Sequence, residues 1–228
     1  MREAILHDLD VPERMGYAES KYVAERLIEA SGIPSAVLRV GQISGPVLSP
    51  RGAWNTQEWY PSLVMSSKYL GMLPASLGSM GKIDWIPVDI FAMITVQLTE
   101  VLCEASDSGQ CKVYNVVNPK VTQWSDLLPV LQTQLGGTSK VRSASIGEWT
   151  DALEQSLSDN FGYVTDMDPA TKLLTFYKRM AKSDTCSSRS VGESDWETKN
   201  LLKDSPEAGR LQAVSPDWMK IWIKQWEL

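Results

Sequence analysis

Near the start of the 228-residue chain, a helical pattern runs directly into a short apolar strand, and this order restricts the possible folds most. Apolar side chains recur at helical spacing in residues 17–30, and Gly-Ile-Pro at residues 32–34 predicts the end of that helix. Residues 35–40, Ser-Ala-Val-Leu-Arg-Val, are typical of a short buried strand. A helix, a brief turn and an apolar strand form the second half of a β-α-β unit, which predicts an α/β fold. The first strand of that unit would precede residue 1 or remain only as a remnant in residues 4–6.

Further elements are predicted along the rest of the chain. Extended segments are expected at residues 83–88, 112–117 and 141–145, and helices at residues 59–70, from Asp89 to about 102, from Thr122 or Ser125 to 135, and from Ser215 onward. Trp218, Trp222 and Trp226 share one face of the last helix, which favours a docked core element. The polar, serine-rich residues 183–194 are predicted to form a mobile loop.

Charge and hydropathy exclude two classes of partner. The formal net charge of −6 and the pI of about 4.9 argue against a general electrostatic grip on nucleic acid, which needs clustered Lys and Arg. The longest apolar stretch, around residues 90–98, is too short to span a bilayer. Residues 1–8 lack the apolar core and cleavage site of a signal peptide. We therefore expect a cytoplasmic protein that binds neither nucleic acid nor membrane.

The cysteine and histidine content bears on redox chemistry and metals. Cys103, Cys111 and Cys186 form no Cys-x-x-Cys pair, which favours a reducing compartment, although a Cys103–Cys111 bridge remains the less favoured alternative. His7 is the single histidine of the chain, and histidine is the commonest metal ligand. The sequence therefore predicts a metal-free protein.

The motif that carries chemistry is Tyr-x-x-x-Lys, formed by Tyr17 and Lys21. Side chains four residues apart on a helix share a face, so the phenol and the ammonium point into the same space. A nearby positive charge favours the ionised form of a phenol, and such a phenol can give its proton to a carbonyl oxygen while hydride attacks the carbon. Lys21 could also bind a ribose hydroxyl. The alternative is an ordinary surface pair, because this spacing is common by chance.

The surroundings of the motif favour the functional interpretation. The helix that begins at Tyr17 feeds the strand of residues 35–40, and that strand opens into a loop at residues 41–46, Gly-Gln-Ile-Ser-Gly-Pro. Ligands of open α/β sheets bind beyond the carboxyl ends of the strands, which is where this loop lies.

Residues 16–27, Gly-Tyr-Ala-Glu-Ser-Lys-Tyr-Val-Ala-Glu-Arg-Leu, resemble the catalytic-helix signature of thioester reductase domains. These domains terminate nonribosomal peptide synthetases, polyketide synthase hybrids and related fungal reductases, including the α-aminoadipate reductase group. Four later segments resemble the family in the same order: residues 37–45, its strand and nicotinamide-side loop; residues 52–55, its Gly-x-Trp-Asn substrate-side turn; residues 84–89, the start of its C-terminal subdomain; and residues 218–226, its terminal helix.

The resemblance implies an extended short-chain dehydrogenase fold and the reductive release of an acyl thioester, bound to a carrier protein, by hydride from NADPH. The product would be an aldehyde or an alcohol. Tyr17 would be the proton donor, and Lys21 would be its partner and a cofactor ligand. The cofactor would also meet Gly41, Gln42 and Ile43, and the substrate would meet Gly52, Trp54 and Asn55. Because tryptophans often only pack, Trp54 is either a wall of the acyl pocket or a core residue.

Two parts of the family pattern cannot be assigned. The Gly-rich phosphate loop and the catalytic Ser or Thr of the family lie upstream of the Tyr, and residues 1–16 offer neither. Gly78 and Gly81 lack the Gly-x-Gly-x-x-Gly spacing and are predicted to be loop residues. We therefore expect residues 1–118 to form a partial Rossmann-type sheet without its N-terminal half, and residues 119–228 to form a smaller, mainly helical substrate subdomain.

Two functions remain open from the sequence. The first is NADPH-dependent reductive release within a larger synthetase, whose upstream domains would be partners of this chain. The second is a truncated or fragmentary relative that binds a carrier protein or another partner without catalysis. The second alternative follows from the missing phosphate loop, since pyrophosphate recognition rests on that loop.

Overall fold

The computed structural model describes residues 1–10, 14–104, 111–160, 163, 166–184 and 196–228. The chain has a mixed α/β fold with short parallel strand pairs, which confirms the predicted Rossmann-type α/β class. Its contacts group the chain into two units. The first unit comprises Met1–Ile43, Asp84–Lys120 and Ser194–Gln212, and the second comprises Ser44–Ile83, Val121–Glu193 and Ala213–Leu228. The predicted domain boundary at residue 118 stays a prediction. The two units group residues by their contacts and do not test where one domain ends and the next begins.

The helices are α1 Gly16–Ala30, α2 Trp59–Leu70, α3 Val88–Glu104, α4 Trp124–Gln134, α5 Ile146–Asp159, α6 Leu174–Asp184, α7 Lys199–Asp204, α8 Pro206–Arg210 and α9 Pro216–Gln225. The strands are β1 Ser35–Val40, β2 Ile43–Ser44, β3 Met72–Pro74, β4 Lys82–Ile83, β5 Ile86–Pro87, β6 Cys111–Val116, β7 Thr122–Gln123 and β8 Arg142–Ala144. Two 3-10 turns lie at Gly78–Gly81 and Pro169–Leu173. Within the described ranges, no helix has the length and apolar character needed to cross a membrane.

The first unit is built on the parallel pair of β1 and β6. Its register runs from Ser35 opposite Cys111 to Val40 opposite Val116. Residues 113–116 of β6 are buried, whereas every residue of β1 is at least partly exposed. The predicted strand at residues 35–40 is thus confirmed, but its predicted burial is wrong. Among the described strands β6 alone pairs with β1, so the second edge of β1 is open.

The C-terminal part of the first unit packs on α3. The side chain of Gln97, in α3, accepts hydrogen bonds from the Ser205 hydroxyl at 2.6 Å and from the Glu207 N–H at 3.1 Å. These two residues lie at the start of α8, where the Ser205 hydroxyl also caps the helix by accepting the N–H of Ala208. The polar side chain of Gln97 therefore fixes the position of α8 against α3.

The second unit has an aromatic core that docks the terminal helix. Trp222 of α9 and Trp226, which directly follows the helix, are buried. Their ring N–H groups donate to the carbonyls of Gly45 at 2.9 Å and Trp54 at 3.1 Å, respectively. The Ser215 hydroxyl caps α9 by accepting the N–H of Trp218. The prediction of a docked terminal helix that begins at Ser215 is confirmed, because its tryptophans pack and its first turn has a hydrogen-bonding cap.

Several sequence predictions need correction. The α4 helix is not capped by Thr122 or Ser125; instead the Asp126 carboxylate accepts the N–H of Gln123 at 3.3 Å. Gly78 and Gly81 lie in a 3-10 turn rather than in an irregular loop. Residues 185–194 of the predicted mobile loop lie outside the described residues, and residues 183–184 end α6. Cys103 and Cys111 are free thiols, so the alternative of a disulfide between them is wrong.

Candidate active site

Tyr17 and Lys21 occupy the first two turns of α1 and lie together on its surface. The Lys21 Nζ lies 5.3 Å from the centre of the Tyr17 ring. The Tyr17 side chain is 69% exposed, and Lys21 is exposed beside it. This separation is within the range of a cation–π contact. The helix therefore presents a phenol and an ammonium side by side in a position that a dissolved ligand can reach.

A buried ion pair joins this helix to β1. Arg39 of β1 donates through Nε to Glu25 of α1 at 3.1 Å and also through Nη2 to the same carboxylate. Arg39 further donates to the carbonyls of Arg2 at 2.9 Å and Ala4 at 2.8 Å, while the N–H of Leu6 donates to Glu25 at 3.1 Å. One ion pair thus ties together α1, β1 and the N-terminal segment.

This ion pair was not predicted from the sequence. Glu25 follows Tyr17 and Lys21 at the same four-residue spacing, so it lies on their face of the helix. Arg39 interrupts an otherwise apolar strand pattern. Charged residues are rarely buried unless they are paired. An arginine within an apolar strand was therefore the sequence signal for an acidic partner.

The loop that follows β1 is held by the end of β6. The Gly41 N–H donates to the Val116 carbonyl at 3.0 Å, which extends the parallel ladder by one residue. A Cβ on Gly41 would lie 2.8 Å from a methyl carbon of Val117, so a larger residue would force the two segments apart. Gln42 accepts the N–H of Ile86 at 3.1 Å and donates from its side chain to the Ile43 carbonyl at 2.7 Å. The predicted cofactor-side residues therefore form a hydrogen-bonded connection from the carboxyl end of β1 into β2, which begins at Ile43.

The predicted substrate-side residues belong to the second unit, where they form a turn before α2. Gly52 is exposed and has a φ of +86°, a conformation that favours glycine. Asn55 is exposed, and its side chain accepts the N–H of Gln57 at 3.0 Å. The backbone carbonyl of Asn55 accepts the N–H of Glu58 at 3.0 Å.

Trp54 is 3% exposed and lies in the aromatic core of the second unit. It stacks on Tyr60 with ring centres 5.2 Å apart and meets Trp222 edge-on at 5.1 Å. Its ring N–H donates to Glu58 at 3.0 Å. This packing favours the core role that the sequence left open for Trp54, and a contact with substrate stays a prediction.

Buried phenols elsewhere are structural. Burial raises the pKa of Tyr60, and burial followed by the charge of Asp168 raises the pKa of Tyr177. Burial, together with a hydrogen bond to Asp204, raises the pKa of Tyr114. These hydroxyls stay protonated at neutral pH and act as donors: Tyr114 donates to Asp204 at 2.7 Å, and Tyr177 donates to the Trp59 carbonyl. In contrast, Tyr17 is open to solvent.

A surface cleft of about 500 Å³ lies in the second unit between the ends of α2 and α5. It contains none of the site residues predicted from the sequence. Its lining residues are Tyr69, Leu70, Ala152, Gln155, Ser156, Asp159 and Asn160.

Residues 2–95, which include α1, β1 and the turn at Gly41, match a family of NAD-binding proteins described as male sterility protein. The match confirms the recognition made from the Tyr-x-x-x-Lys helix and the segments that follow it.

Curated relatives are similar to nearly the whole chain. A carboxylic acid reductase of Neurospora crassa is 36% identical over 228 aligned residues, which cover 98% of this chain and 21% of the relative. The adenylate-forming reductase Nps11 of Serpula lacrymans is 30% identical over 98% of this chain and 20% of its own length. The 3-methylorcinaldehyde synthase of Sarocladium schorii is 26% identical over 93% of this chain and 7% of its own length. The chain thus spans at most about a fifth of the length of these relatives.

A solved structure supports the fold. The reductase domain of the aureusimine biosynthetic cluster matches 93% of this chain and 50% of its own chain, with a TM-score of 0.53 and 18% identity. At this identity the likeness concerns the fold alone.

Proposed function

We propose that this chain is the catalytic-helix part of a reductase that releases a carrier-bound acyl thioester with NADPH, giving an aldehyde or an alcohol. The observation that carries the proposal is the Lys21 ammonium held 5.3 Å from the centre of the exposed Tyr17 ring, within the segment that matches the family described as male sterility protein. The names of the relatives support it, because two are reductases that span the same region.

Tyr17 acts as the general acid of the proposed reaction. Hydride attack on a thioester carbonyl builds negative charge on its oxygen, and a phenol within hydrogen-bond reach neutralises that charge by giving a proton. The hemithioacetal that results then breaks its C–S bond, which gives the aldehyde and releases the thiol of the carrier. Lys21 favours this transfer because its positive charge stabilises the phenolate that is left behind. The exposure of Tyr17 leaves its hydroxyl accessible to the carbonyl of an incoming ligand.

The same residues fit one end of a nicotinamide cofactor. NADPH would supply the hydride, and the exposed ammonium of Lys21 suits a ribose hydroxyl beside it. The turn at Gly41, Gln42 and Ile43 lies at the carboxyl end of β1, where sheets of this class bind ligands. The sequence contains no Gly-x-Gly-x-x-Gly, so these residues fit the nicotinamide end and leave the pyrophosphate to other groups.

The substrate side of the proposal rests on the turn before α2. Gly52 and Asn55 are exposed and could meet the acyl chain or its carrier. Trp54 supports this turn from beneath, since its carbonyl accepts the ring N–H of Trp226 and its own ring is buried.

A second candidate function is a non-catalytic module that binds a carrier protein. It is the alternative that the sequence left open, in which the exposed Gly52 and Asn55 would meet the carrier without catalysis. The two candidates differ in one respect: only the reductase consumes NADPH.

The test uses a chimera. The 228 residues aligned in the Neurospora crassa relative are replaced by this chain, so that the rest of that enzyme is present. NADPH oxidation is followed at saturating acyl substrate, and the product is identified by mass spectrometry. Aldehyde or alcohol formed with stoichiometric loss of NADPH supports the proposal. A folded chimera that binds its carrier domain but consumes no NADPH supports the non-catalytic module instead.

A further inference from the structure

Lys21 lies between two possible partners on one face of α1. Tyr17 precedes it by one turn and Glu25 follows it by one turn, so both side chains are within reach of its ammonium. A lysine and a glutamate at this spacing commonly form an ion pair on a helix. The Lys21 ammonium nevertheless lies over the Tyr17 ring, 5.3 Å from its centre.

The reason lies in the surroundings of Glu25. Both of its carboxylate oxygens accept hydrogen bonds: Oε2 from Arg39 Nε at 3.1 Å, and Oε1 from Arg39 Nη2 and from the N–H of Leu6 at 3.1 Å. The side chains of Glu25 and Arg39 are 9% and 12% exposed. A two-pronged guanidinium contact of this kind satisfies the geometry and the charge of a carboxylate together.

Without that guanidinium, Glu25 would be a buried carboxylate with no compensating charge. The free-energy cost of such an unpaired buried charge is several times the stabilisation that an exposed cation–π contact provides. Lys21 is the cation one turn away on the same face, whereas Arg26 is bound to Glu29 at 2.6 Å. Without the guanidinium, an ion pair with Glu25 would therefore be more favourable for the Lys21 ammonium than its contact with Tyr17.

We propose that Arg39 is a positioning residue, which neutralises Glu25 and thereby keeps the Lys21 ammonium beside Tyr17. Its importance for catalysis rests on the proposed function, because Lys21 acts on the reaction through Tyr17. The placement of Lys21 itself is a property of the folded chain and can be measured without any turnover. Arg39 would act on the reaction only through Glu25 and Lys21, without contacting a reacting atom itself.

The experiment reads the position of Lys21 by NMR. A side chain held over an aromatic ring shows an upfield ring-current shift, so the Hε resonance of Lys21 reports its contact with Tyr17. Spectra are compared for the wild-type chain, Arg39→Gln, Glu25→Gln and the double variant Glu25→Gln/Arg39→Gln. Each single variant breaks the same buried ion pair, but only Arg39→Gln leaves a carboxylate that competes for Lys21.

The expected result is loss of most of the upfield shift in Arg39→Gln and its retention in Glu25→Gln and in the double variant. Arg39→Lys, which keeps a cation beside Glu25, is expected to retain it as well. An unchanged shift in folded Arg39→Gln overturns the proposal. Equal loss of the upfield shift in both single variants also overturns the proposal. The Glu25–Arg39 ion pair would then only hold α1 against β1.

A second variant covers the case in which Arg39→Gln does not fold. Arg39→His is prepared at pH 5.5, where a histidine with an ordinary pKa of about 6.5 is mostly protonated, and the pH is then raised to about 7.5. The Lys21 shift is expected to fall as the imidazole loses its charge, and to stay constant in Glu25→Gln/Arg39→His. A constant shift in Arg39→His overturns the proposal. None of these NMR measurements uses NADPH or a thioester. A result that overturns the role of Arg39 is therefore distinct from a result that overturns the proposed function.

Discussion

The Glu3 carboxylate accepts the backbone N–H of Leu201 at 3.1 Å, across 198 positions of the sequence. The same carboxylate accepts the N–H of Asn200 and, at 3.1 Å, the N–H of Asn115 in β6. A negative charge at the start of α7 also matches the positive end of that helix. One nearly buried side chain thus joins the N-terminal segment, the sheet and the C-terminal segment of the first unit.

We expect Glu3→Gln to lower the free energy of unfolding by about 1–3 kcal/mol, because hydrogen bonds to a charged acceptor are replaced by weaker ones and an amide N–H faces backbone donors. The measurement is urea unfolding followed by circular dichroism. Glu100→Gln, on the exposed surface of α3, is the control and should change little. Equal stability of Glu3→Gln and Glu100→Gln would contradict this role for Glu3.

Close packing at Gly45 gives a second prediction. A Cβ there would lie 2.8 Å from Gln225 Oε1 and 2.9 Å from atoms of both Trp222 and Trp54. We expect Gly45→Ala to destabilise the protein by about 1–3 kcal/mol through overpacking. Gly16→Ala is the matched control, since a Cβ at that position meets nothing within 4 Å.

Thermal unfolding of the two glycine variants checks this prediction. Gly16 lies in the first turn of α1, so Gly16→Ala should be neutral or slightly stabilising. A Gly45→Ala melting temperature equal to that of wild type would show that α9 can move away from the turn at no cost.

The pH dependence of stability should report on Asp204. Burial opposes ionisation of this carboxyl, but hydrogen bonds from Tyr114 at 2.7 Å and Lys112 at 3.0 Å outweigh it and lower the pKa of Asp204. A carboxyl whose pKa is lower in the folded state stabilises the fold above its unfolded pKa of about 4, and this stabilisation is lost as the pH falls below that value.

We expect Asp204→Asn to cost about 1–3 kcal/mol at pH 7 and progressively less below pH 4. Urea unfolding of the variant and of wild type from pH 3 to pH 7 gives the difference at each pH. The control is Asp151→Asn, an exposed position on α5. A difference that stays constant down to pH 3 would exclude ionised Asp204 as its source.

Local patterns predicted the elements that carry the candidate site. Spacing of apolar residues and the Gly-Ile-Pro stop were enough for α1, and its first turn then placed Tyr17 and Lys21 together. The α5 helix was missed, although Ser145 and Glu148 provide the start signal: the Ser145 hydroxyl accepts the N–H of Glu148 at 3.1 Å.

What the sequence could not predict are the contacts between distant segments. Nothing local in Arg39 indicates that its partner is Glu25. Nothing in Glu3 indicates that its carboxylate accepts the N–H groups of Asn115, Asn200 and Leu201. Burial of β1 was overestimated for the same reason, because an apolar strand pattern does not tell how many neighbours the strand has. These features depend on which segments the fold brings together.

Cofactor affinity is a further prediction. The 228 residues contain no Gly-x-Gly-x-x-Gly, so this chain by itself should bind NADPH too weakly to saturate at micromolar concentrations. Calorimetric titration of the wild-type chain, with Lys21→Ala as the control, measures the affinity. A micromolar dissociation constant would reveal a phosphate site formed by other residues.

Catalytic variants separate the roles of the site residues. Lys21→Ala should reduce both cofactor affinity and turnover in the chimera with the Neurospora crassa relative, because it removes the charge beside the phenol and a ribose contact. Lys21→Arg should restore only part of the activity, since a broad guanidinium poorly replaces a compact ammonium. Losses from Tyr17 and Lys21 variants should not add, because both side chains act on the same step. Additive losses would indicate independent roles.

Tyr17 is proposed to give the proton in the reductive step, and the variant Tyr17→Phe isolates this role. The substitution removes only a hydroxyl from a side chain that is 69% exposed, so the fold should be unaffected. In the chimera, with saturating NADPH and thioester, kcat should fall by about 10²–10⁴-fold, the usual contribution of a general acid. Tyr69→Phe, at an exposed tyrosine of α2, is the control and should leave kcat unchanged. A folded Tyr17→Phe chimera with wild-type kcat, under conditions where chemistry limits the rate, would contradict the account.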